Sequence, residues 1–114
     1  MAQWKLASAS PPFTLDVSAG DNGPLSGTFT TALGTYPVSG SWAASFSIPG
    51  RNASAFSFSG AVSPAGSAAT TFIAAVGIMI GPGPSPTQIN LRVSESSSGD
   101  GSLTESAATL LPAG

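Results

Sequence analysis

A chain of 114 residues has room for one compact domain around one core, spanning 1–114. Only 7% of it is charged, against about a quarter in ordinary proteins, and the formal net charge is −2. With Lys5, Arg51 and Arg92 as its only cations it has no basic patch to neutralise phosphates, which argues against a nucleic-acid partner. The absence of Cys and His removes disulfides, thiolate chemistry, Cys- or His-ligated metals and a Ser-His-Asp triad together.

The first residues, Met1 to Lys5, contain no apolar leader segment. The longest apolar run, 72–80, is too short for a membrane-spanning helix. The expectation is a soluble protein without a membrane partner, cytoplasmic rather than secreted. The Asn52-Ala53-Ser54 sequon would matter only in a secretory setting.

Helix is disfavoured by 14 Gly, 10 Pro and the absence of any 3.6-residue apolar period. Period two recurs instead, as half-buried antiparallel strands require. Strands are expected near 2–8, 13–19, 25–32, 36–46, 54–62, 68–80, 87–95 and 103–111. Phe13, Leu15 and Val17 share one face of the second; Phe56 and Phe58 share one face of the fifth. Ile89, Leu91 and Val93 share one face of the seventh. Between strands, Pro11-Pro12 blocks pairing and Asp21-Asn22-Gly23 supplies a hairpin turn. Pro49 to Asn52 and Pro64 to Gly66 close two more hairpins. The 81–86 run of Gly and Pro is a stiff connection, and Ser96 to Gly101 a flexible loop.

Eight short strands joined in order by tight turns, with no crossover helix, predict an all-β, eight-stranded antiparallel up-and-down barrel. A two-sheet sandwich is the competing solution. The sixth segment is apolar on both faces, which predicts burial on both and places Phe72, Val76, Ile78 and Ile80 near a subunit interface. A homodimer or tetramer follows.

No catalytic constellation is visible. A Ser-Lys pair would rest on Lys5 alone, and Asp16, Asp21, Glu95, Asp100 and Glu105 read as turn formers or solvated strand residues. Asp100-Gly101 is too sparse for calcium. The chain reads as non-enzymatic and without a cofactor.

The segment Leu25-Ser26-Gly27-Thr28-Phe29-Thr30-Thr31-Ala32-Leu33-Gly34 resembles the avidin and streptavidin family. Trp4, Val38-Ser39-Gly40-Ser41, Thr70-Thr71-Phe72, Leu91-Arg92-Val93-Ser94 and a last segment from Leu103 to Leu111 resemble further family signposts in the same order. The resemblance implies an eight-stranded barrel with a ligand cup and an oligomeric assembly. On it, Ser8 or Ser10, Thr31 and Thr70 stand in for ligand-binding hydroxyls, Phe72 replaces one Trp wall, and Ile89 and Leu103 replace others. The pattern departs from the family at Phe29, where a Tyr belongs, at Leu6 or Ala7, where an Asn belongs, and near Leu111, where an acid belongs. Each lost donor or acceptor costs about 1 kcal/mol or more of polar recognition, so biotin binding is reduced to an alternative.

The leading functional expectation is therefore a cup for a mainly apolar or aromatic small molecule, with Ser10, Phe29, Thr31, Phe58, Thr70, Phe72, Ile89 and Leu103 as ligand-binding residues. Phe56 and Leu91 are further candidates for the lining. The alternatives are a lectin-like surface using Trp42 or Tyr36, and a self-associating structural β-protein.

Overall fold

A computed structural model describes residues 2–20, 23–32, 34–44, 53–63, 68–81 and 87–112. The expected turn residues Asp21 and Asn22, the 49–52 and 64–66 turns and the 82–86 connection lie outside the described residues, as does Asn52 of the sequon. Eight strands run in chain order: β1 Ala2–Ala9, β2 Pro12–Ala19, β3 Pro24–Thr31, β4 Gly34–Ala44, β5 Ala53–Val62, β6 Thr71–Ile80, β7 Gln88–Ser97 and β8 Ser102–Pro112. Each pairs antiparallel with the next, and β8 returns to β1, so the sheet is a closed barrel rather than a sandwich.

Several boundaries differ from the sequence expectation; β4 already starts at Gly34, and β7 runs on to Ser97, taking in Ser96 and Ser97 of the expected loop. Residues 68–70 precede β6 rather than starting it: the Thr70 carbonyl accepts from the Ser98 amide at 3.0 Å, tying this approach to the β7–β8 turn. Pro12 stands opposite Ala9 and so belongs to the ladder, at the first residue of its strand where its missing N–H costs least. Gly101, at φ 68°, closes the β7–β8 turn, its amide donating to the Ser97 carbonyl at 3.0 Å.

The registers fix how the sheet closes. A row of paired residues starting at Trp4 passes through Val17, Gly27, Val38, Gly60, Ile73 and Glu95 to Thr104. In the β1–β8 register, Leu6 faces Pro112 and Ala7 faces Leu111. That register sets Thr104 level with position 14, ten residues along from Trp4. Eight strands with this stagger are strongly tilted, at roughly 40° to the barrel axis.

Inward positions carry the core. Trp4, Leu6, Leu15, Val17, Phe29, Tyr36, Phe58, Ile89, Val93 and Leu110 are among the buried residues, and none of the buried apolar side chains exceeds 5% exposure. Aromatic rings form a column: Phe13 to Phe29 at 5.2 Å, Phe29 to Phe58 at 5.3 Å, Phe58 to Phe56 at 6.1 Å and Phe56 to Trp4 at 5.7 Å between centroids. These spacings are those of favourable ring pairs. Inward glycines permit close approach, of a ring at Gly77 and of the neighbouring strand's backbone at Gly40. A Cβ at Gly77 would lie 2.8 Å from Phe56 Cζ, and one at Gly40 would lie 1.9 Å from the Ser57 carbonyl oxygen and 2.6 Å from Phe58 Cα.

At Gly40 the obstruction is neighbouring backbone, which cannot rotate away. Gly40→Ala is therefore expected to destabilise the barrel by about 2–3 kcal/mol, measured as a lowered urea midpoint with an unchanged m-value.

Candidate functional site

One end of the barrel gathers the Ser10–Pro11 turn, the β3–β4 connection, the β5–β6 connection and the β7–β8 turn. On several strands the inward face changes from apolar to polar as it reaches this end, whereas β2 keeps Phe13 and β5 keeps Val62 there. On β3, Phe29 is followed two residues later by Thr31; on β7, Val93 is followed by Glu95; β6 enters with Thr71 ahead of Ile73. Tyr36, near the start of β4, stands beside Phe29 in the ladder.

These residues form one hydrogen-bonded cluster. Thr31 Oγ1 donates to Glu95 Oε2 at 2.9 Å, and the Tyr36 hydroxyl donates to the same oxygen at 2.9 Å. Thr31 is buried and Tyr36 has no exposed surface, while Glu95 is half-buried. Both donors engage Oε2. Among the described residues no buried side-chain polar atom lacks a hydrogen bond, so Oε1, which receives neither proton, faces the open end or another donor.

The Tyr36 phenol is held above its ordinary value of 10.0, first by burial. The Thr71 hydroxyl works in the opposite direction, and the Glu95 carboxylate raises it by accepting its proton and by its own negative charge. The half-buried Ser8, Val62, Thr71 and Ser97 complete the rim on neighbouring inward positions. Ser8 Oγ is itself engaged, donating to the Pro11 carbonyl at 2.6 Å.

The residues expected to bind ligand divide into three groups. Phe29, Phe58 and Thr31 come together beneath this mouth, Phe29 at 0% and Phe58 at 3% exposure. Ser10 and Thr70 sit at its outer edge, and Thr70 Oγ1 shares a 2.7 Å hydrogen bond with Ser63 Oγ. Ile89 is buried at the opposite end of β7, near the start of that strand.

Phe72 and Leu103 require correction as cup walls. They are 49% and 69% exposed, because alternation gives the inward places to Ile73 on β6 and to the even-numbered residues of β8 that lead to buried Leu110. On the sixth segment Ile73, Ala75 and Met79 are buried within this chain, whereas Phe72, Val76 and Ile78, on the face expected to meet a second subunit, are exposed and Ile80 is half-buried.

Tyr36 is not a surface aromatic either, since it shares the inward face of β4 with Val38. Trp42 is half-buried, with its Nε1 donating to the Gly20 carbonyl at 3.0 Å and its ring 6.2 Å from Trp4. The sequence reading missed Glu95 as a site residue by taking it for a solvated carboxylate. Its signal was present: carrying Ile89, Leu91, Val93 one step further lands on Glu95 and turns it inward.

No family model matches the chain, and no curated protein or solved structure matches it significantly.

A raised tyrosine means that the fold prefers the neutral phenol. The stability this contributes is complete below pH 10, the unfolded value, and is lost as pH rises through the higher folded value. Tyr36→Phe is expected to cost about 1 kcal/mol at neutral pH and to remove this part of the alkaline decline. Urea titrations at stepped pH, wild type against variant, measure both.

Proposed function

We propose that this chain is a non-enzymatic binding barrel that holds a small, mainly apolar or aromatic molecule at the Thr31–Tyr36–Glu95 end. The observation that carries the reading is a half-buried carboxylate, fixed through one oxygen by two buried hydroxyl groups, above a floor of packed aromatic rings. An apolar surface with a few convergent polar groups is the usual chemistry of small-molecule sites. Two hydrogen bonds hold Glu95 in place before any ligand arrives, which lowers the ordering cost of binding.

Because the inward side chains below are close-packed, the ligand rests at the rim, against Val62, Thr71 and Ser97, rather than deep in the barrel. A carboxylate only accepts hydrogen bonds, so it selects an apolar or aromatic body bearing an N–H, amidinium or ammonium group. The avidin resemblance favours a ligand at a barrel mouth with Thr31 among its hydroxyls, and biotin, with two ureido N–H groups, is one candidate within this class.

A second reading is self-association through the outer wall of β6, favoured by Phe72, Val76 and Ile78 standing exposed in one stripe at 49%, 60% and 41%. In a chain with so few charges, such a stripe has little to keep a second copy away.

Two measurements test these readings. Thermal shifts are taken with a panel of aromatic amines and amides, their donor-free analogues, and biotin. A donor-bearing ligand at one hundred times its Kd is expected to stabilise by about 2.7 kcal/mol, with the gain abolished in Glu95→Gln. Silence across the panel, or equal shifts from the donor-free analogues, overturns the ligand reading. For the wall, Val76→Lys with Ile78→Lys is expected to lower the mass seen by light scattering. An unchanged oligomer overturns that reading.

A further inference from the structure

Outside the barrel, the wall of β6, β7 and β8 carries an open hollow of about 630 Å³. The register builds it. One row of outward side chains runs Val76, Arg92, Ala107 across the three strands, and a second runs Ile78, Asn90, Thr109. Between the two rows lie Gly77, Leu91 and Ala108. Gly77 has no side chain, and Leu91 and Ala108 turn theirs to the core, so the floor of the hollow is backbone. Ser10, in the β1–β2 turn, closes it on the β8 side. From β6 to that turn is three strand spacings, about 14 Å, the length of a small molecule.

The chemistry of the hollow is one-sided. Arg92 is the single charge among the residues that line it. Asn90 is held in place: Thr109 Oγ1 donates to its Oδ1 at 2.9 Å and Gln88 Nε2 donates to the same oxygen at 3.0 Å. With its oxygen engaged twice, Asn90 offers the hydrogens of Nδ2. Arg92 and Asn90 are both exposed and share one face of β7, about 7 Å apart along the strand. Their guanidinium and amide can therefore donate to the two oxygens of one carboxylate. Val76 and Ile78 add an exposed apolar wall on the β6 side. Glu105 lies one row beyond Arg92, in the next hollow along the wall.

We propose that this hollow is a second binding site, which takes a small monocarboxylate with an apolar or aromatic body. The carboxylate meets Arg92 and Asn90, and the body covers Val76 and Ile78. This goes beyond both readings above, since the site lies outside the barrel and its occupant is neither a donor-bearing ligand nor a second copy. The two sites sort ligands by sign. At the mouth the Glu95 carboxylate only accepts hydrogen bonds and repels an anion, whereas Arg92 only donates and attracts one. An exposed arginine–carboxylate contact contributes little by itself. The apolar body is therefore needed for binding, and the charge selects which apolar molecules stay.

The test is a titration of the unmodified protein with 4-phenylbutanoate, 4-phenylbutanamide and acetate, followed by residue-resolved amide chemical shifts. The expected result is millimolar, saturable binding of 4-phenylbutanoate that moves the amides of Gly77, Leu91, Arg92 and Ala108, with about fivefold weaker binding of the neutral amide. Acetate, which has no body to bury, is expected to give no saturable shift. Arg92→Gln, verified as folded by amide dispersion, is expected to weaken the acid about fivefold and bring it level with the amide. Lys5→Gln, which removes a cation from the outer face of β1, is expected to leave binding unchanged. The absence of saturable shifts up to about 10 mM overturns the proposal. So do shifts centred on Thr31 and Glu95, equal affinity for the acid and the amide, or an Arg92→Gln variant that binds like the wild type.

Discussion

The stagger at which the sheet closes on itself governs most of what this barrel can do. Eight strands and a ten-residue offset tilt the strands and set an interior of one side-chain layer's width. Such an interior accepts rings only where the opposing positions are small. Gly77 leaves such a place to Phe56 Cζ, while Gly27, Gly40 and Gly60 let the backbone of a neighbouring strand approach closer than a Cβ allows. The same offset leaves the start of β8 beyond the reach of β1. Core packing and the open edge therefore share one geometric origin.

Much of this architecture was legible in the sequence, since strand alternation and turn chemistry are local signals. Phe13-Leu15-Val17 and Ile89-Leu91-Val93 needed no tertiary information to be read as inward faces. The strands of β6 and β8 were harder for a definite reason. The 72–80 segment has apolar residues at both parities, so alternation could not say whether Phe72 or Ile73 points inward; the register with β5 and β7 decides it. In β8 the inward residues Thr104, Ser106 and Ala108 are no more apolar than their neighbours, and Leu103 was the conspicuous residue on the wrong face. Closure itself is a relation between the two ends of the chain, and no local pattern reports how many positions of β1 and β8 will pair.

The candidate site was half legible. Thr31 was identified through its segment and does lie inward, but its partners come from β4 and β7, separated from it by 5 and 64 positions in the chain. A charged residue at the end of an apolar alternation presents two readings, a strand that has reached solvent or a carboxylate retained at the rim. What distinguishes them at Glu95 is the presence of two donors at 2.9 Å, and only the assembled barrel brings those together. Placing the carboxylate at the end rather than the middle of the interior also keeps its desolvation cost low, because one side still meets water.

The scarcity of charge acts on the surface as the stagger acts on the core. With 7% of its residues charged, the chain cannot rely on electrostatic repulsion to keep its edges and apolar stripes apart in solution. Each remaining charge then weighs more in deciding which surfaces can meet. Arg92 and Glu105 stand exposed on the outer face of the neighbouring strands β7 and β8, so the two signs lie close together on an otherwise nearly uncharged wall, which keeps little net field to repel a second surface.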